Sequence, residues 1–285
     1  MSVRGFPKQG WGIAVMLLLV SMLSVFTIPS NGATMEQGPQ GLHEPWDALL
    51  KRHVFPIDNG HSTEVDYAGF AQQRDMLTGY LWQLASVTEA QFHGWSKPEQ
   101  LAFLINAYNA YTVELILSRY PDLSSIRDLG GFLSSPWKQD IGPLLGKERT
   151  LDEIEHQLIR GKNKYHEPRV HFAVNCASVG CPALREEAYI GEKLDRQLAD
   201  QTQRFLSDRS RNYINDETLT VSKIFDWYRG DFEMGWQGRT RLADFLALYH
   251  ESLSLTPGQT YALVKGKIDI EFSDYDWSLN DVNKP

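Results

Sequence analysis

One predicted helix limits the folds open to this chain, because its apolar residues lie on nearly every side. It begins at a capping-box pattern, Ser96 to Glu99, with a proline in the first turn, and we expect it to continue to about Ser118. A helix that is apolar all round is normally buried, so other elements must surround it. Asn106 and Asn109 share one face of this helix. Buried amides need hydrogen-bond partners, so this pair either ties neighbouring loops to the core or lines a binding site.

The rest of the chain contains both helical and strand patterns. Helical spacing of apolar residues occurs at 66–84, 150–160, 191–207 and 242–249, and strand patterns occur at 170–175, 219–221 and 267–272. Residues 121–149 have the composition of a loop-rich connection. Since helices outnumber strands, we predict an α+β (mixed α/β) fold. We expect a small central sheet packed by several helices, with the cysteine-protease and transglutaminase-like folds as the candidate class.

The first residues have the composition of a secretory signal. The basic residues Arg4 and Lys8 precede an apolar run, and small residues follow it up to Ala33. This pattern predicts a signal peptide over residues 1–33. The alternative is an N-terminal membrane anchor, because the run is almost long enough to span a bilayer. We therefore expect a periplasmic or secreted protein that has no membrane contact after signal cleavage.

The remaining residues are enough for one globular domain. Residues 34–45 are polar and rich in glycine and proline, which predicts a flexible leader before a single domain over 46–285. The formal net charge of -8 argues against a nucleic-acid partner, because a nucleic-acid binder needs a basic face. The chain has 2 cysteines, which are too few for a disulfide scaffold.

Both cysteines lie in the segment 169–182, which is the strongest candidate for a chemical site. The predicted strand at 170–175 contains His171 and Asn175, and the loop after it carries Cys176 and Cys181. A strand can aim the residues of the loop that follows it, so this is a suitable place for a site.

A second block of candidate residues lies upstream, in the helix predicted to begin at Thr150. Glu155 falls within the apolar stripe of this helix, and His156 lies at the flank of the stripe. A glutamate on the buried side of a helix is unusual unless it is paired, so Glu155 is a candidate for a functional role.

The residue types allow three interpretations of the cysteines. The first is a disulfide between Cys176 and Cys181, which would stiffen the loop. The second is a nucleophilic thiol with His156 or His171 as its base, Glu155 or an asparagine amide orienting the imidazole, and the backbone N–H groups of residues 178–180 facing an oxyanion. The third is a metal site, which has weaker support because no second ligand pair has a recognised zinc spacing.

Several blocks of the sequence, in this order, resemble one protein family. The segments are 102–112, 125–128, 151–156, 171–182, 222–225 and 275–280. Together they are similar to the signature blocks of the domain-of-unknown-function family five-four-seven, over about residues 95–280. Leu104 and Ala183 depart from the residues that the family often has, tryptophan and proline. The resemblance implies that Glu155, His156, His171, Asn175 and the two cysteines share one site.

From these observations we expect an exported thiol-dependent hydrolase or acyl-transfer enzyme with an amide or peptide-like substrate. Cys176 or Cys181 would attack, His156 would be the base, and Glu155 or His171 would assist. Asn106, Asn109 and Asn175 are the candidate binding residues, and we expect no metal and no cofactor. The alternative is a non-enzymatic envelope or extracellular binding module with a Cys176–Cys181 disulfide. The partner in either case is an unidentified small-molecule or peptide-like ligand.

Overall fold

The computed structural model describes residues 39–131, 134–161 and 164–283, which belong to a single compact unit. The predicted signal peptide, 1–33, and residues 34–38 of the predicted leader lie outside the described residues. Residues 39–45 of that leader include a short helix, and His43, which follows this helix, is buried. No helix of the described part is long and apolar enough to cross a membrane.

The helices account for most of the regular structure. They are α1 (Pro39–Leu42), α2 (Glu44–His53), α3 (Tyr67–Gln72), α4 (Arg74–Ser86), α5 (Glu89–Gly94), α6 (Lys97–Leu117), α7 (Leu151–Glu153), α8 (Leu194–Ser207), α9 (Ile224–Trp227), α10 (Arg229–Phe232), α11 (Leu242–Leu248) and α12 (Pro257–Val264). The predicted helix at 66–84 is divided into α3 and α4 at Gln73, whose φ is -112°. The predicted capping box at Ser96 is present, and Thr88 and Thr150 also form capping boxes.

The strands form three small sheets among the described residues. Strands β1 (Val54–Ile57) and β2 (Ser62–Val65) are antiparallel, as are β3 (Asp140–Leu144) and β4 (Lys147–Thr150). The third sheet has the order β5 (Tyr213–Asn215), β6 (Thr218–Val221) and β7 (Asp269–Phe272), with β5 antiparallel and β7 parallel to β6. The α+β class is therefore confirmed, although the strands are distributed over several sheets. The β3–β4 hairpin also replaces part of the loop expected at 121–149.

The strand predicted at 170–175 is wrong. Residues Pro168–Phe172 form a 3₁₀ helix instead. Both the apolar and the polar residues of this segment are buried, so their alternation did not mark an exposed and a buried face. In addition, the Asn109 amide on α6 donates to the Ala173 carbonyl at 2.9 Å and accepts the Asn175 N–H at 2.8 Å. These bonds use backbone groups that a neighbouring strand would need.

Helix α6 is the centre of the larger hydrophobic core, as its apolar pattern predicted. Its buried residues extend from Gln100 to Leu117, and it packs against α3, α4 and α8. A second apolar cluster lies beyond it, where Phe172 contacts phenylalanines of α8, α9, α10 and α11. The short helix at Pro168–Phe172 thus lies between the two clusters. Burial on this scale fixes the segment that leads into the cysteine loop.

Candidate functional site

A cleft of about 320 Å³ contains both sulfur-bearing residues and is lined by groups from six parts of the chain. We use "the cleft" for this space. Its lining consists of Tyr108, Ser135, Trp137, Asp152, Glu155, His156, His171, Val174, Cys176, Cys181, Pro182, Ile224, Trp227, Tyr228, Tyr275 and Trp277. All five residues predicted to carry the chemistry, Cys176, Cys181, His156, Glu155 and His171, are in this set.

The two cysteines form a disulfide, with 6.1 Å between their Cα atoms. The disulfide interpretation of the sequence is therefore confirmed, and the described residues include no free cysteine. Cys181 is 5% exposed, whereas Cys176 is partly exposed. Cys176 is thus the sulfur that a molecule in the cleft would meet first.

The loop between the cysteines is held by the C-terminal segment. Val179 and Gly180 donate their backbone N–H groups to the carbonyls of Ser278 and Asp276, each at 2.8 Å, and the Cys181 N–H donates to the Ser178 carbonyl. The expectation that the amides of this loop face an oxyanion is wrong for Val179 and Gly180, because pairing with the C-terminal segment occupies them.

Two hydroxyl groups lie beside the Cys176 sulfur. The Tyr275 hydroxyl is 3.1 Å and the Ser178 hydroxyl 3.2 Å from Sγ, and the two hydroxyls are 3.1 Å apart. Burial raises the pKa of Tyr275 to about 12, so its phenol stays protonated near neutral pH and can donate. These hydroxyls are the polar groups that a charge developing at Cys176 would meet.

His171 is paired with a residue that the sequence did not suggest, Asp231 of α10. The His171 Nε2 atom is 2.7 Å from Asp231 Oδ2. Burial lowers the pKa of His171, which favours the neutral imidazole. Burial alone would raise the pKa of Asp231, but hydrogen bonds from His171 and Arg160 outweigh it and hold that pKa below its usual value. Since a carboxylate can only accept, neutral His171 carries its proton on Nε2 and its lone pair on Nδ1.

Glu155 and His156 lie on an irregular turn. After α7 the chain continues as a π-helical turn, Ile154–Ile159, a conformation often found at functional sites. His156 is exposed, and Arg160 donates to its Nδ1 atom at 2.6 Å. Glu155 is 7% exposed, and its Oε1 atom is buried without a hydrogen-bond partner. This confirms the prediction that Glu155 faces inward.

The three candidate binding asparagines have structural partners. Asn106 donates to the Tyr189 carbonyl at 2.8 Å and accepts the Tyr189 N–H at 3.0 Å. Asn109 binds the backbone around residues 173–175, and the Asn175 side chain donates to the Pro182 carbonyl at 2.7 Å. None of the three is among the described residues that line the cleft. The amides of Asn106 and Asn109 therefore tie loops to α6, which was the first of the two interpretations, and the Asn175 amide bonds within the cysteine loop.

Aromatic rings form one side of the cleft. Trp227, Tyr275 and Trp277 contact one another with centroid distances of 4.5–5.8 Å, and Trp137 meets Trp277 at 5.8 Å. We call these four residues the aromatic wall. Trp227 is 46% exposed, so part of this wall faces solvent.

Sequence reasoning missed Asp231 and most of the aromatic wall. The only signal for Asp231 was its position, with Asp226, in a run of aromatic residues at 225–232. Within the described part of the chain, no group of three or more histidine, cysteine, aspartate and glutamate residues is arranged to hold a metal ion.

Comparison with known proteins identifies part of the chain. No curated protein and no solved structure matches it. Residues 92–206 match the family model described as "Protein of unknown function, DUF547". This segment contains α6, the π-helical turn and both cysteines, and so 11 of the 16 residues that line the cleft. Over residues 92–206 the chain is therefore similar to the DUF547 family.

Proposed function

We propose that the protein is a thiol-dependent hydrolase or acyl-transfer enzyme for amide or peptide-like substrates, and that it acts after the Cys176–Cys181 disulfide is reduced. The observation that supports this most strongly is that Cys176 and His171 line the same cleft, and that His171 is hydrogen-bonded to Asp231. A nucleophile, a base and a group that orients the base are the parts that acyl transfer requires.

Reduction has to precede catalysis, because a disulfide sulfur is not a nucleophile. An external dithiol would supply two electrons and two protons and would itself become a disulfide. Cys176 is the proposed nucleophile since it is the more exposed sulfur, and the hydroxyls of Ser178 and Tyr275 would stabilise its thiolate. Cys181, whose sulfur accepts the Cys176 N–H at 2.8 Å, would stay in the wall of the cleft.

His171 is a better base than His156, which the sequence favoured. The Nδ1 atom of His156 already accepts from Arg160, whereas Asp231 leaves the lone pair of His171 on Nδ1. In the proposed reaction His171 takes the Cys176 proton, and the sulfur bonds to the substrate carbonyl carbon. The C–N bond then breaks, and the leaving amine takes the proton from His171. Water or another amine then accepts the acyl group from the thioester.

The test uses the alkylation of Cys176 and needs no substrate. In Cys181→Ser, which leaves Cys176 as the single thiol, the rate of reaction with iodoacetamide is followed by mass spectrometry from pH 4 to 9. We expect an apparent thiol pKa at least one unit below the ordinary value of about 8.5, because a paired imidazole favours the thiolate. His171→Asn should return the pKa towards that value, and Cys176→Ser, with Cys181 alone, should react slowly. An unshifted pKa that His171→Asn does not change would exclude the mechanism.

A second candidate function is a non-enzymatic binding module in which the disulfide is permanent. It is favoured by the absence of a free cysteine among the described residues. Export by the predicted signal peptide would place the protein where disulfides persist. The two candidates differ in one measurement on the native protein. If a large excess of dithiothreitol leaves the disulfide intact under native conditions, the binding module is correct and the thiol enzyme is excluded.

A further inference from the structure

The charged groups that line the cleft have an unbalanced composition. Asp152 and Glu155 are acidic, and no lysine or arginine is among the described residues of the lining. Arg127 lies over the Trp277 ring at 5.4 Å from its centroid, on the exposed side of the aromatic wall, and the Arg160 guanidinium lies over the Tyr228 ring at 4.7 Å from its centroid. The Nε and Nη2 atoms of Arg160 donate to Asp231 at 2.6 and 3.2 Å. The positive charge of Arg160 is thus directly paired with Asp231. It is not directly paired with either of the two acidic residues of the lining, Asp152 and Glu155.

His156 does not neutralise Glu155 through its nearer nitrogen. His156 Nδ1 is 3.9 Å from Glu155 Oε1, but the same Nδ1 atom accepts from Arg160 at 2.6 Å. An arginine can only donate, so Nδ1 carries no proton that it could give to Glu155. Glu155 Oε1 has no hydrogen-bond partner, although its side chain is 91% buried. A buried carboxylate oxygen without a hydrogen-bond partner is unfavourable unless a ligand supplies one.

Aromatic groups surround this carboxylate. Burial, the charge of Glu155 and a hydrogen bond to its side chain raise the pKa of both Tyr108 and Tyr228, so these two phenols lie beside the carboxylate. The aromatic wall of Trp137, Trp227, Tyr275 and Trp277 lines the same cleft. The faces of aromatic rings attract cations, most strongly where water is excluded. A cation that enters the cleft therefore meets favourable groups on several sides.

We propose that the cleft binds a primary ammonium group of its ligand between Glu155 and the aromatic side chains. A primary ammonium has three donors, so it can supply the hydrogen bond that Glu155 Oε1 lacks, whereas a quaternary ammonium has none. This inference builds on the proposed function by naming its substrate class: an amide or peptide-like molecule that carries a free amine. The ammonium site itself does not depend on the state of the disulfide.

The test compares three six-carbon probes on the native, oxidised protein. Isothermal titration calorimetry at pH 7 measures hexylamine, which is protonated at that pH, against 1-hexanol and hexanoate. We expect hexylamine to bind at least about tenfold more tightly than hexanol, and hexanoate to bind most weakly. Equal affinity for hexylamine and hexanol would overturn the proposal, and this comparison needs no variant.

Variants locate the site within the protein. Glu155→Gln should remove the preference for hexylamine over hexanol, while Glu251→Gln, which makes the same change in net charge at an exposed position, should preserve it. A preference that survives in a folded Glu155→Gln protein would also overturn the proposal. Failure of the thiol enzyme has a different result, namely an unshifted Cys176 pKa together with normal hexylamine binding. Conversely, a lowered Cys176 pKa without hexylamine preference would exclude the ammonium site alone.

Discussion

The buried histidine His43 illustrates how a single residue couples the stability of the fold to pH. His43, between α1 and α2, is 3% exposed, and its Nδ1 atom is 2.7 Å from the Tyr80 hydroxyl. Burial lowers its pKa to about 3, whereas the unfolded chain has the ordinary value near 6.5. The unfolded state therefore binds a proton at a higher pH than the folded state does, and acidification below about pH 6.5 favours unfolding.

This difference predicts a specific loss of stability. Between pH 7 and pH 3, His43 should reduce the free energy of unfolding by about 4 kcal/mol. Urea denaturation of His43→Gln should show a smaller total decrease than the wild-type protein over this range, although the variant is less stable at pH 7. His93→Gln, at an exposed position, should leave the decrease nearly unchanged. If the free energy of unfolding fell by the same amount between pH 7 and pH 3 in the wild-type protein and in His43→Gln, the argument would be contradicted.

At the scale of elements, local signals could be predicted and contacts between distant segments could not. The capping boxes at Ser96 and Thr150 lie within one helical turn, so the sequence was sufficient to find them. The β3–β4 hairpin turns at Leu145, whose φ is 53°, and leucine is not a residue that marks such a turn.

The residues of the site that lie close together in the sequence could be predicted, and the one distant partner could not. Glu155, His156, His171 and the cysteines lie in two neighbouring blocks, and the cleft contains all of them. Asp231 lies 60 residues after His171 and reaches it only because the two apolar clusters of the core adjoin. No periodicity or spacing in the sequence encodes that contact. The choice of His171 over His156 as base therefore required the structure.

The packing of the cysteine loop against the C-terminal segment leads to a second stability prediction. A methyl group on Gly180 would lie 2.9 Å from the backbone N and O atoms of Asp276. Gly180→Ala should therefore lower the free energy of unfolding by about 2 kcal/mol, because the two segments must separate. Gly79→Ala, in the exposed interior of α4 with no neighbour within 4 Å, should instead raise it by about 0.5–1 kcal/mol. Urea denaturation measures the change in the free energy of unfolding for both variants. Changes of the same sign in the two variants would contradict the prediction.

At the scale of the whole molecule, the compact unit should unfold in one step. Its two apolar clusters are joined through the segment around Phe172, so neither should melt alone. The disulfide closes a loop between residues only 5 apart, and its removal should cost about 2 kcal/mol. We expect Cys176→Ser/Cys181→Ser to unfold in a single transition, with fluorescence and circular dichroism midpoints coinciding. Two transitions, or a variant that does not fold, would show that the disulfide supports more than its loop.

The cleft is assembled from two parts of the chain, of which only one is covered by the family model. Residues 92–206, which match the family model, supply the cysteines, Glu155 and His171. Three of the four residues of the aromatic wall come from beyond residue 206, as does Asp231, the hydrogen-bond partner of His171. Selection can consequently act on the two parts separately. A lineage that preserves the first part and diversifies the second would retain the cysteines and the residues around them while its cleft came to bind different ligands.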